Sequence, residues 1–258
     1  MSSLALEATG LDVQIGTTLV SRELVLRVAP GQSLAILGRN GVGKSTLLKT
    51  LAGLHLPRKG LICLEGVPIE QLAPQRLAVT RGYLPQQSID PFSSTVLETV
   101  LIGRHPHLGR WDWESPADRR LALEALASVG LEGFEARDVH TLSGGERQRV
   151  GLAMLLVQAP RLFFLDEPLA HLDPGHGVAA LSLMRAQTHK ATPAGIVMVL
   201  HDANLARRWC DRALLLFGEG TWVEGPVADV VSVENVSRLY GHPFRAVGDQ
   251  GDAWLVPT

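Results

Sequence analysis

Gly38-Arg39-Asn40-Gly41-Val42-Gly43-Lys44-Ser45-Thr46 fits G-x-x-x-x-G-K-[ST], a loop built to hold phosphate. Apolar residues lead into it (Leu34, Ala35, Ile36, Leu37), and a helix-like run follows (Leu47, Leu48, Lys49, Thr50, Leu51, Ala52). That is the strand–loop–helix setting the motif requires. Glycines let successive backbone N–H groups turn inward around an anion, and the helix beginning near Lys44 aims its positive end at the same point. Gly38, Asn40, Gly41, Gly43, Lys44, Ser45 and Thr46 are the candidate phosphate ligands. Lys44 would reach the β- and γ-phosphates and Ser45 would ligate Mg²⁺. The bland alternative is a glycine-rich turn with an incidental lysine. Lysine is confined to Lys44, Lys49, Lys59 and Lys190, which weakens that alternative.

Outward from this loop, 258 residues suit one large domain or a core with an inserted subdomain. Charge is nearly balanced, 24 Lys+Arg against 26 Asp+Glu, so there is no basic footprint for nucleic acid. Cys63 and Cys210 lie in apolar segments without metal spacing and read as buried free thiols of a reducing compartment. The start, Met1-Ser2-Ser3-Leu4-Ala5-Leu6-Glu7, has no basic region before its apolar residues, and no secretory signal is expected. No apolar run approaches the ~20 residues of a membrane span. The expectation is a soluble, cytosolic chain that reaches a membrane only through a partner.

Residues 4–37 read mostly as strands, with Leu24, Leu26 and Val28 on one face of a period-2 pattern that Val25 blurs. Leu61–Glu65 is a short strand, Leu72–Leu77 a short helix, and Val79–Leu84 a strand running into Pro85-Gln86-Gln87. The pattern then turns helical to about Gln158, with a run starting at Pro91–Thr95. Ser115-Pro116-Ala117-Asp118 marks a helix start there, and Gly130 that helix's end. Strands resume at Leu162–Leu165 and Gly195–Leu200, with helices at Gly177–Lys190 and Ala203–Cys210. Ala213–Phe217 and Gly220–Glu224 read as a hairpin, Asp229–Tyr240 as a helix, and the tail as one or two edge strands. A helical block at 88–158 therefore interrupts two α/β stretches, 1–87 and 159–258.

Two further stretches bear on chemistry. The apolar run ending in Asp166-Glu167 suits a buried parallel strand with acids at its carboxyl end. Asp166 would be a second partner for Mg²⁺, and Glu167 would polarise a water beside the γ-phosphate; alternatively, both are solvated charges. Leu142-Ser143-Gly144-Gly145-Glu146 precedes a helical run and reads either as an ordinary capped helix start or as a second anion site. Two such sites in one chain mean either two ligands or two chains paired head to tail.

With these residues in order, the chain resembles the ABC-type ATPases, the nucleotide-binding subunits of ABC transporters, over about residues 10–242. Gly38–Thr46 matches Walker A, Leu165-Asp166-Glu167-Pro168 ends Walker B, and Leu142–Glu146 matches the LSGGE signature. Gln86 matches the Q-loop glutamine, Leu169–Asp173 the D-loop, and His201 the switch histidine. The resemblance implies an α/β P-loop NTPase (RecA-like) core with an N-terminal antiparallel β-subdomain and an inserted α-helical subdomain. It also implies a homodimer, paired head to tail, with two ATP molecules and Mg²⁺ at its interface. Lys44, Ser45 and Thr46 would hold phosphates and metal in one chain, and Ser143 and Gly145 would reach the γ-phosphate from the other. Glu167 would be catalytic base, Gln86 and Asp166 would serve the metal, His201 would brace the γ-phosphate, and Asp173 would link the two sites.

One position departs from the pattern. The family stacks adenine on an aromatic residue in a Tyr-Gly-like dipeptide, and Ile15 precedes Gly16 here. Isoleucine covers a base without a π-face, which puts base selectivity in question.

Gly103-Arg104-His105-Pro106-His107 and His201-Asp202-Ala203-Asn204 are similar to the ATPases of iron-chelate (siderophore), haem and cobalamin importers. That resemblance implies peripheral attachment to permease subunits at the cytoplasmic face of the inner membrane, with an external substrate-binding protein as indirect partner. A soluble ABC protein of translation or repair, a non-hydrolysing regulator and an exporter ATPase are the competing classes. The first usually carries two cassettes or a coiled coil, and intact Glu167 and His201 argue against the second. The Gly103–His107 segment argues against the third. His105-x-His107 alone makes a poor metal site. Trp111 and Trp113 read either as exposed permease contacts or as caps on the helical block's own core.

Overall fold

Period-2 alternation builds the first sheet. β1 (Leu6–Ile15) pairs antiparallel with β2 (Thr18–Val28), and Leu24, Leu26 and Val28 face inward while Val25 stays 42% exposed. These elements belong to a computed structural model that describes residues 4–87, 93–109, 111–248 and 253–258. β3 (Ser33–Gly38) is buried at every position, as a strand flanked on both faces must be, and it delivers the chain to α1 (Lys44–Leu51). β4 (Lys59–Leu64) and the short β5 (Val67–Pro68) complete an antiparallel sheet ordered β2-β1-β4-β5.

The chain divides into two compact units, one of Met1–Gln71 with Gly195–Thr258, the other of Leu72–Ala194. The second begins with α2 (Pro74–Thr80) and β6 (Arg81–Leu84). Sequence pattern placed a strand from Val79, but Val79 and Thr80 are helical. Pro74 at the first turn sets the helix start, and extended backbone begins only at Arg81, where pairing with Leu162 begins. α3 (Val96–Leu101), α4 (Pro116–Ser128) and α5 (Gly144–Gln158) follow, each opened by a reciprocal capping box: Thr95 with Glu98, Ser115 with Asp118, and Ser143 with Glu146. The expected helical start at Pro91 lies outside the described residues. β7 (Leu162–Asp166) runs parallel to β6 and buries Phe163 and Phe164. α6 (Pro174–Thr188) starts three residues before the predicted Gly177, because Asp173 caps it through the His176 amide.

Within the helical block the Arg104 guanidinium joins three segments. It donates to Asp118 at 2.7 Å and to the Val157 carbonyl at 3.2 Å. Ser115 also donates to Asp118, and those bonds, with Arg104 beside them, hold its carboxyl well down, to about 2. Gly103 lies so close to α5 that a Cβ would stand 2.3 Å from the Met154 carbonyl oxygen.

In the first unit, β8 (Gly195–Val199) pairs parallel with β3, and α7 (Ala203–Trp209) follows it. β9 (Arg212–Gly218) lies parallel on the other side of β3, and β10 (Thr221–Pro226) returns antiparallel, so the order is β10-β9-β3-β8. The predicted helix over Asp229–Tyr240 is instead two: α8 (Val227–Val230) and α9 (Val233–Tyr240). Ser232 interrupts them by capping the second through the Asn235 amide, while the Asn235 side chain donates to the Val230 carbonyl. The tail forms β11 (Phe244–Val247) and β12 (Trp254–Pro257), which pair only with each other among the described residues and extend neither larger sheet. Cys210 is buried as expected. Cys63 is only half-buried, its thiol pushed up by burial and by Glu7.

Candidate functional site

The first unit carries the phosphate loop. Gly43 stands at φ 103° before α1, and a Cβ there would meet Val20 Cγ2 at 2.4 Å, so only glycine allows β2 and the loop to pack this closely. Gly41, at φ 79°, also needs the left-handed region. Lys44 is buried and its ammonium donates to the carbonyls of Gly38 and Arg39, at 3.0 and 3.2 Å. The cation thus lies folded over the loop whose N–H groups would hold an anion. Ser45 and Thr46 occupy the first turn of α1. His201 follows the neighbouring strand: Ile36 pairs with Val199, and the Leu200 amide donates to the Ile36 carbonyl at 3.1 Å. Loop and histidine therefore leave the carboxyl ends of adjacent parallel strands, the usual place for a ligand in such a sheet. Ile15 ends β1 and is 52% exposed.

The second unit carries the acids. Leu84 pairs with Leu165, so Gln86 and Glu167 each lie two residues beyond a paired position on parallel strands. The Gln86 amide donates to Glu167 at 2.8 Å. Glu167 holds φ 51°, left-handed backbone at a residue without glycine's freedom. Asp166 is buried and accepts the Tyr83 hydroxyl at 3.2 Å; burial, and then that carboxylate, push the Tyr83 hydroxyl well above its usual range. Gln148, one turn inside α5, reaches the Glu167 carbonyl at 3.4 Å. Tyr83 and Gln148 had no signal of their own in the sequence, because their partners are fixed by strand pairing and by the approach of a helix. Asp166 and the Gln86 amide oxygen in the second unit, and Ser45 in the first, are hard oxygen donors of the kind that suits a Mg²⁺ ion keeping several waters.

The signature segment is a helix start as well. Ser143 caps α5, and its bonds to the Glu146 carboxyl lower that group's pKa. Gly144 and Gly145 leave room for the D-loop: a Cβ on Gly145 would stand 2.7 Å from the His171 carbonyl oxygen. Asp173 accepts from His176 through both backbone and side chain. His105 bonds Glu114 and His107 bonds the Gln158 carbonyl, so the two histidines have separate partners. Among the described residues no three acids, histidines or cysteines converge on a metal position. Trp111 and Trp113 are 84% and 87% exposed, which excludes the capping role.

A profile described as ABC transporter matches residues 22–170. Hemin import ATP-binding protein HmuV of Burkholderia pseudomallei (strain 1710b) is 40% identical over 96% of this chain and 96% of its own. Petrobactin import ATP-binding protein FpuD of Bacillus anthracis is 37% identical over 92% of this chain and 86% of its own. Among solved structures, an inward-facing putative metal-chelate type ABC transporter superposes with a TM-score of 0.83 and 27% identity, over 99% of this chain and 98% of that one.

Proposed function

The chain belongs to the ABC transporter family, and from that premise we propose that it is the ATPase subunit of an importer for haem or another iron chelate, working as a head-to-tail pair on a membrane permease. The observation that carries the substrate is the 40% identity over 96% of the chain to a hemin import protein. Hydrolysis of ATP coupled to transport is the activity of the family.

In this reading Gly38, Asn40, Gly41 and Gly43 present N–H groups to the phosphates, and Lys44 leaves the loop carbonyls for the β- and γ-phosphate oxygens. Ser45, Asp166 and Gln86 would hold Mg²⁺, which would supply neutralisation of phosphate charge. Glu167 orients the attacking water and takes its proton, and His201 steadies the γ-phosphate. Ser143 and Gly145 of a second copy complete each nucleotide, and Asp173 relays between the two. Positioning and charge stabilisation do most of the work in such a transfer. Ile15 covers the base by apolar contact alone. Helices α3, α4 and α5 belong to the helical subdomain that bears the signature, and Trp111 and Trp113 offer exposed surface to the permease. Among the described residues no helix is long and apolar enough to cross a membrane. In this reading the chain attaches to that permease at the cytoplasmic face. An external binding protein delivers the substrate.

The test is uptake. The chain, co-expressed with the permease and binding protein encoded beside it, should restore haem uptake to cells lacking their own system, and Glu167→Gln should abolish it. The petrobactin relative favours a second reading, a ferric siderophore. Uptake of siderophore or cobalamin without haem would overturn the haem assignment; uptake of none would overturn the importer.

A further inference from the structure

The peptide that carries His201 is held by the C-terminal segment. Tyr240, the last residue of α9, donates its hydroxyl to the His201 carbonyl at 2.8 Å. Its half-buried ring leans on Phe244 of β11, with centroids 5.7 Å apart. Burial, and then Asp202, push the hydroxyl's pKa up, so it remains a donor at neutral pH. The helix that follows His201 is tied to the same segment. Asn204 clamps the Leu255 backbone through both ends of its amide, donating at 3.0 Å and accepting at 2.7 Å. Arg207 donates to the Ala253 carbonyl at 2.7 Å. Asp202 caps α7 through the Asn204 amide at 2.7 Å.

Just before His201, the Leu200 N–H donates to the Ile36 carbonyl of β3. One residue further on, the Tyr240 hydroxyl holds the His201 carbonyl. We propose that Tyr240 is a positioning residue for His201, and that α9 and the β11–β12 hairpin thereby help set the rate of hydrolysis. This rests on the reading of His201 as the brace of the γ-phosphate. A side chain that must meet a transferring phosphoryl group tolerates little misplacement, so freeing its peptide costs rate while leaving nucleotide binding alone.

The experiment measures steady-state ATPase activity and thermal unfolding of the full chain bound to its permease, for Tyr240→Phe, His201→Ala and the double variant. Tyr240→Phe keeps the ring against Phe244 and removes only the donor. It should lower kcat about three- to tenfold, the range of a single hydrogen bond. KM for ATP and the unfolding temperature should stay unchanged. The double variant should be no slower than His201→Ala, since the hydroxyl acts through the histidine. Asn204→Ala, which removes the clamp on Leu255 and leaves the Arg207 bond to Ala253, should show a smaller loss confined to kcat. An unchanged kcat in Tyr240→Phe, beside an inactive His201→Ala, would overturn the proposal. So would losses that multiply in the double variant, or a fall in kcat that comes with a lower unfolding temperature and a raised KM. Full turnover by His201→Ala would instead remove the reading of His201, and the proposal with it.

Discussion

The Gln86 side chain donates to the Glu167 carboxylate at 2.8 Å, two residues past the point where their strands pair. Glu167 sits at φ 51°, a conformation costing of order 1–3 kcal/mol unless its surroundings enforce it. The Gln86 amide and the Gln148 amide, which reaches the Glu167 carbonyl, are two such restraints.

Changing that amide to an acid tests the contact. In Gln86→Glu two carboxyls face each other at about 3 Å, where they cannot both ionise at neutral pH. The acid limb of kcat against pH should move upward. An unmoved profile would mean that Gln86 and Glu167 are apart during turnover.

Gly43→Ala should abolish nucleotide binding. The new Cβ would stand 2.4 Å from Val20 Cγ2 at a backbone φ of 103°, so both packing and dihedral oppose it. Destabilisation of about 1–3 kcal/mol is expected in denaturant unfolding. Adding Val20→Ala relieves only the clash, so it should recover part of the stability and little of the binding. Full recovery of ATP affinity would refute the dihedral argument.

Asp118→Asn should weaken the helical block by about 1–3 kcal/mol, because one amide oxygen cannot accept from Ser115 and Arg104 together. The pH dependence has a definite sign. The folded carboxyl, held at about 2, lies below its ordinary 3.8. Its stabilisation is therefore full above about pH 4 and disappears as pH falls toward 2. Acid unfolding of the wild type should be steeper over that interval than that of Asp118→Asn, and equal slopes would remove Asp118 from the account.

Ile15→Tyr should sharpen the preference for ATP over GTP. Ile15 is 52% exposed and, in the proposed function, would cover the base without a π-face; a tyrosine there would add stacking of roughly 1 kcal/mol. The ratio of the two dissociation constants is the measurement, and an unchanged ratio would show that the base does not lie on this residue.

Motif spacing alone, from Gly38 to Thr46 and through Ser143, Asp166 and His201, was enough to identify the family and the α/β class. These signals are local: a glycine, a cap or a run of apolar residues acts within a few positions of itself. Ser115-Pro116-Ala117-Asp118 likewise announced α4 because its hydrogen bonds close within four residues. Boundaries failed where partners were remote. Val79 has a strand former's side chain, yet extended structure waits for Arg81 to meet Leu162. Tertiary structure alone decided that Gln86 bonds Glu167, that Tyr83 bonds Asp166 and that Tyr240 holds His201. Each of these joins residues 39 to 83 positions apart, and the hydrogen bond exists only because strand register or a returning helix brings them within 3.2 Å.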